Sequence, residues 1–426
     1  MARLLRRAAI SCSLAIVLTN VPATAQSAGE DWPQWGGPRR NFTVNSGKLA
    51  ERWPAGGPRK LWSRALGLGH SSIVTEGGRL FTMYRRDERE FLIALDASDG
   101  RTLWEFGYDA PYPPKMEMQY GDGPHSTPLI TGDLVCGTGT TAKLHCVDKR
   151  TGRLRWKRDL WLECGARRIG VGYSSSPVAW RELVIVQVGE PGPGLVAFRR
   201  SDGGEVWRSP VFRNSSSTPI FIELGGREQL VAYMHQEVIG LNPDSGALLW
   251  RHPITAAGQQ WNFHFNISTP VWSADNLLFA SSAYGIGGRV LELRAEGGRT
   301  VVRQLWQAEP ARVHKENAIR IGNVIYASTG HLGPAFFTAI DVRTGNVLWK
   351  DRRFSHASFL LADGKFLILD EDGTLGLATP AADGLKLHAQ TGVFRGRSWT
   401  VPTLVGTRLY LRDRRVILAL ELGAQP

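Results

Sequence analysis

Apolar residues in this chain fall into short runs with turn residues between them, and the runs recur in groups. One group reads Ser126-Thr127-Pro128-Leu129-Ile130, Leu134-Val135-Cys136, Leu144-His145-Cys146-Val147 and Leu154-Arg155-Trp156, with turns at Thr131-Gly132-Asp133 and near Gly139. Runs of that length bounded by Gly, Asp and Thr predict four β-strands. The group repeats every ~40 to 55 residues, the period of radial β-architectures. No long helical periodicity follows the N-terminus, and no low-complexity linker divides the chain.

Each group closes on an Asp-x-x-x-Gly-x-x-x-Trp tail. Clear copies run from Leu95 to Trp104, Val147 to Trp156, Ser201 to Trp207, Leu241 to Trp250 and Ile340 to Trp349, and worn ones lie at Gly297 to Trp306 and Ala382 to Leu387. In a tail the Asp side chain can cap the turn, the Gly can take positive φ, and the Trp supplies an apolar plate with an N–H that needs a partner. Four strands make a blade that is apolar on both faces, so blades must stack around a ring. Seven tails end at Trp104, Trp156, Trp207, Trp250, Trp306, Trp349 and Leu387. An eighth opening set, from Trp399-Thr400-Val401-Pro402 through Leu418-Ala419-Leu420, has no tail of its own. The orphan Lys60-Leu61-Trp62 predicts the missing strand, which would pair with the last apolar run and remove the free edges. The expected fold is all-β: a single eight-bladed propeller over residues 60–422, its last blade completed by an N-terminal strand.

The 426 residues include Gly 48 and Trp 15, which suits a fold of many turns and many plates between blades. Residues 26–59 form an irregular lead that contains Trp32-Pro33-Gln34-Trp35-Gly36-Gly37-Pro38 and is expected along the outside of the ring. Ahead of it, Arg3, Arg6 and Arg7, the apolar run Ala8 to Val21 and Ala23-Thr24-Ala25 read as a signal peptide over residues 1–25, cut after Ala25. This predicts a periplasmic or extracellular protein with no transmembrane segment after cleavage; Cys12 reads as an ordinary apolar-region residue. Cleavage removes three arginines and no acid, so the formal charge of +12 becomes +9. The remaining arginines are scattered among turns with no interleaved aromatic stripe, which argues for a solvated basic surface and against nucleic acid. The expected partner is a protein or an envelope polymer, and the expected state a monomer.

Three cysteines remain after cleavage. Cys136 and Cys146 are symmetric about Thr141 and could face each other across a hairpin as a disulfide or pack as two buried thiols. Cys164 is the odd thiol. No spacing suits a structural zinc site or a haem attachment site.

The Leu-Asp-x-x-Thr-Gly-x-x-Leu-Trp tails and the Trp-Pro-Gln-Trp-Gly-Gly-Pro lead resemble the pyrroloquinoline-quinone-type (PQQ-like) propeller repeat. The resemblance covers Trp32 to Leu420. That repeat is shared by quinoprotein dehydrogenases and by a non-catalytic lipoprotein of the outer-membrane assembly machine, so it implies the fold and leaves the activity open. The dehydrogenase reading would need PQQ with calcium, a vicinal cysteine pair, a Trp plate, acidic and Asn ligands and an Asp base. This chain has neither a Cys-Cys dipeptide nor Cys-x-x-Cys-His.

Aligning the blades on the Pro of their opening strands gives an equivalent position three residues earlier. It is occupied by His70, His125, Ser174, Ser216, Ile267, Glu316, His356 and Trp399. That position starts the innermost strand, so these side chains, with His314 and His331, are expected at one mouth of the central channel. There they could receive a polar ligand or peptide, with Trp399 as a stacking plate. His70, His125 and His356 could instead hold a metal, or the histidines could simply cap strand hydroxyls. Trp261 to Asn266 could overhang the same mouth, while Asp370-Glu371-Asp372 reads as a hairpin turn. No nucleophile-base pair, phosphate loop or carboxylate pair is legible, so no catalytic residue is assigned and no cofactor is expected. The sequence reads as an exported binding scaffold, with a PQQ-dependent or metal-assisted oxidoreductase as the alternative.

Overall fold

A computed structural model describes residues 29–424 apart from 117, 119, 166–169, 255–265 and 332. The signal peptide and its cleavage point, Cys12 and the run Trp261 to Phe265 lie outside the described residues. The chain folds into eight four-stranded antiparallel sheets. Blade 1 has strands Val74–Glu76, Arg79–Arg86, Arg89–Asp96 and Thr102–Asp109, ordered from the channel outward. Blade 8 consists of Thr403–Val405, Arg408–Arg412 and Val416–Glu421, and its outer strand is Arg59–Ala65 from the start of the chain. Trp62 pairs with Ala419 and Ser63 with Leu418, so the ring closes between the first and last strands.

The tails hold neighbouring blades together. Asp148 Oδ1 accepts from the backbone N and the hydroxyl of Thr151, and Asp341 Oδ1 does the same with Thr344. These bonds fix the turn. The indole N–H of each Trp then reaches a carbonyl in the next tail: Trp62 to Ala97 (3.1 Å), Trp104 to Lys149 (3.1 Å), Trp156 to Arg200 (2.8 Å), Trp207 to Pro243 (3.1 Å), Trp306 to Val342 (2.7 Å) and Trp349 to Ala381 (3.1 Å). Trp250 departs from this rule and donates to Gln229 Oε1 of its own blade at 2.6 Å. The tail that follows it sits at the tip of a longer hairpin, Gly287–Glu296 with Arg299–Ala308, and Gln229 bridges the two by donating Nε2 to Thr300 Oγ1 at 2.9 Å.

Cys136 and Cys146 are register partners on adjacent strands of blade 2 and are joined in a disulfide. Cys164 is buried with a free thiol.

The lead does not run along the outside of the ring. It crosses the end of the channel opposite the mouth and bonds to one blade after another. Trp32 N donates to Thr75 Oγ1 and Thr75 N to the Trp32 carbonyl; Ile130 N donates to the Pro33 carbonyl. Arg40 reaches the Ala179 carbonyl at 3.1 Å and covers the Phe221 ring, and Trp35 Nε1 donates to Thr269 Oγ1 at 2.8 Å. Phe42 and Val44 bracket Leu361 through two backbone bonds before Ala50 N bonds Leu422. Trp32, Phe42, Val44 and Leu49 are buried. Apolar area explains the misplacement: four large side chains gain more from sealing the channel than from lying on a polar outer wall. Gly36 and Gly37, both at positive φ (77° and 79°), make the reversal that turns Trp35 inward, and a β-carbon on Gly37 would press on the Trp32 indole at 3.0 Å.

Candidate functional site

The innermost strands run from the mouth toward the lead, and side chains alternate along them, so positions three and one before the Pro face the channel together. Six residues of the predicted ring, His70, His125, Ser174, Ser216, Ile267 and Trp399, line one cavity of about 130 Å3. Ser176, Thr218 and Thr269, two residues further along their strands, line it below. Trp35 forms the floor, and Tyr120, Val171, Tyr284, His314 and Lys315 complete the wall. With the lead across its far end, the channel is a cup that opens on one face.

His70 stacks on Trp399 at 5.0 Å and lies 5.6 Å from His125, ring centre to ring centre. Burial pushes both imidazoles well toward their neutral forms, aided at His70 by the nearby His125, Arg412 and Arg414. His125 Nε2 donates to the Gly121 carbonyl at 3.1 Å. Neither ring nitrogen of His70 meets hydrogen-bond geometry; the Tyr120 backbone is close enough only to offset its desolvation in part. Neither histidine bonds a strand hydroxyl.

Glu316 and His356 stand outside the cup, behind Lys315. Glu316 Oε1 accepts from His356 Nδ1 at 2.9 Å and from Lys315 Nζ at 3.0 Å, and His356 Nε2 donates to the Gly333 carbonyl at 2.9 Å. Burial alone would raise the carboxyl, but the Lys315 charge and the His356 bond outweigh it and hold Glu316 far below the usual range. Burial likewise opposes charge on His356, and the Glu316 bond and charge overcome it, so its pKa is raised. The Glu316 carboxylate is thus shared between His356 and Lys315, and Lys315 presents its ammonium to the cup. Its ammonium sits 4.5 Å from the centre of the Trp399 ring, whose edge is fixed by a bond from Nε1 to Glu371 at 3.1 Å. His331 packs against Tyr284 and His314 at 4.7 and 5.0 Å.

The three histidines weighed as metal ligands do not converge, because both nitrogens of His356 are engaged elsewhere. Among the described residues no group of three or more His, Cys, Asp and Glu side chains is placed to hold a metal.

A family model described as outer membrane protein assembly factor BamB matches residues 89–351. The chain belongs to the BamB family. BamB from Yersinia pestis is 22% identical over 308 residues, which cover 68% of this chain and 72% of that protein. The crystal structure of BamB from Moraxella catarrhalis superposes with a TM-score of 0.60 at 16% identity, covering 86% of this chain and 99% of the other. The quinohemoprotein alcohol dehydrogenase from Comamonas testosteroni gives a TM-score of 0.66 at 12% identity over 93% of this chain and 81% of its own. At these identities the superpositions show the shared propeller alone.

Within this BamB-family ring, the cup's donor set does not suit a calcium-bound quinone. Among the described residues no Asp or Glu lines it, and a cation entering would meet the Lys315 ammonium.

Sequence reasoning found the mouth positions but missed Lys315, Tyr120, Tyr284 and Trp35. Ser176, Thr218 and Thr269 were within reach of the same register, two residues on. The Asp370 turn also carries a function: Asp370 Oδ1 caps it through Asp372 N and Thr374 N, and this places Glu371 against Trp399.

Proposed function

We propose that this chain is an exported, non-catalytic propeller scaffold that binds a protein partner in the cell envelope through its mouth face. The observation that carries the reading is the BamB family match across residues 89–351. The family and its Yersinia pestis member are named as an outer membrane protein assembly factor. Two apolar side chains support the choice of face. Leu162, on the one-turn helix Leu160–Glu163 that follows blade 2, is 81% exposed, and Val211, just after blade 3, is 60% exposed. Both lie where outer strands emerge toward the mouth, and exposed apolar groups there suit a protein contact. Among the described residues no helix is long and apolar enough to cross a membrane.

Fractionation should place the protein outside the cytoplasm. Photo-crosslinkers at Leu162 and Val211 should then capture one reproducible envelope protein, whereas crosslinkers on the opposite face, at Gly77 or Gly298, should not. Cytoplasmic recovery, or equal labelling from both faces, would overturn the reading. Adding PQQ with calcium should leave no quinone absorbance with the protein through gel filtration; retention with dye reduction would favour the oxidoreductase.

A further inference from the structure

We propose that the cup is a binding site for one flat apolar group that carries a carboxylate, an aryl carboxylate in the simplest case. The inference goes beyond the scaffold reading and does not depend on it. Five features of the cavity point to this chemistry.

The floor and one wall are indoles, Trp35 and Trp399, and flat apolar faces select flat apolar ligands. The volume of about 130 Å3 is close to the ~150 Å3 that admits a benzene ring in an apolar cavity. The dead end formed by the lead excludes a polymer threading through, so the occupant is a small molecule or a chain end.

The charge pattern sets the polar group. Among the described residues, Lys315 is the one lining residue with a fixed charge, and no carboxylate lines the cup. Glu316, its natural counter-ion, is already shared with His356, so the ammonium retains attraction for a second anion. A single cation suits a monoanion; a phosphate dianion would ask for the forked donors of arginine.

His70 is 8% exposed, and neither ring nitrogen meets hydrogen-bond geometry, the Tyr120 backbone being its nearest polar neighbour. A buried imidazole without a partner is a donor waiting for an acceptor. It stacks on Trp399 and lines the same cavity as Lys315.

Titration calorimetry on the mature chain tests the assignment, with benzoate as the free small acid and N-acetyl-Gly-Gly-Phe as the chain end. Benzoate should bind saturably with Kd of about 1 mM or tighter. Benzamide, which has the same shape without the charge, should bind at least about tenfold more weakly. K315M and W399A should each weaken benzoate by about tenfold, with melting temperatures followed to confirm folding. Tighter binding of the tripeptide would assign a polypeptide terminus as the source, and tighter binding of benzoate a free acid. No saturable binding of either up to about 10 mM, or equal affinity for benzamide, would overturn the proposal. The benzamide comparison needs no variant, so it holds even if a substitution disturbs folding. Failure here with the envelope crosslink intact would leave the scaffold reading standing, and the converse would leave the cup standing.

Discussion

The indole of Trp62 lies flat across Gly100, so that a β-carbon on that glycine would fall 2.6 Å from the ring. The same contact recurs around the ring for Gly152 under Trp104 (2.6 Å), Gly203 under Trp156 (2.6 Å), Gly345 under Trp306 (2.7 Å) and Gly246 under Trp207. The glycine of each tail therefore answers to the tryptophan of the preceding blade as well as to its own positive φ.

Two costs follow for an alanine at Gly152: the left-handed backbone, about 1–2 kcal/mol, and displacement of the Trp104 plate. Gly298, also at positive φ (77°) but with open space around it, carries only the first cost. Urea unfolding should show G152A destabilised by at least about 2 kcal/mol more than G298A. Equal losses would mean that the inter-blade contact contributes nothing.

Arg412 fastens the seam. Its guanidinium is fully buried and donates to the carbonyls of Ser71, Met83 and Gly67 and to Thr82 Oγ1, which ties blade 8 to blade 1 beside the strand pair Trp62 and Ala419. R412M keeps the bulk but strands those acceptors, and unfolding free energy should fall by about 3 kcal/mol or more. A matching substitution at the exposed Arg395 should change it by less than about 0.5 kcal/mol.

Acid should destabilise the fold through histidines that stay neutral. His70 and His125 are held low, His314 is pushed down to about 4 and His145 to about 3, in each case chiefly by burial. Unfolded imidazoles take up protons near pH 6.5 while these folded ones do not, so stability falls as pH drops below 6.5. The loss is up to about 1.4 kcal/mol per pH unit for each such ring. His356 works the other way. Its raised pKa makes its contribution fully present below 6.5, and the contribution is lost as pH rises through the folded value. H356Q should therefore flatten the alkaline limb of a stability profile from pH 5 to 8 and leave the acid limb steep.

Thiol labelling checks the blade 2 crosslink. The unfolded mature chain should take up one alkylating group, at Cys164, without reductant and three with it. Three in both conditions would show Cys136 and Cys146 as free thiols.

Much of the fold was legible because a propeller writes itself in sequence at one period: tails, opening Ser/Thr-Pro pairs and an orphan Leu61-Trp62 that could pair only with Leu418 to Leu420. The mouth positions were legible for the same reason, since register is conserved from blade to blade by the ladder hydrogen bonds. The lead was not legible. It has no strand period, and its course is set by single bonds to Thr75, Ile130, Thr269 and Leu361, groups whose nearness exists only once the ring has closed. Lys315 escaped because it stands one residue before the repeated position, and blade 6 departs from the pattern of the others: Lys315 lines the cavity there and Glu316 does not.

The strand that carries Trp62 is among the first parts of the propeller to be synthesised, and its partner Val416–Glu421 is the last. The ring cannot close until that last strand has been delivered. The stretch that seals the base meets its first partners, Thr75 and Ile130, early, and its last, Leu361 and Leu422, only near the end of synthesis. A chain arrested before Val416 would leave blade 1 and the strand of Trp62 facing an unclosed seam, open to whatever proteases or chaperones share its compartment.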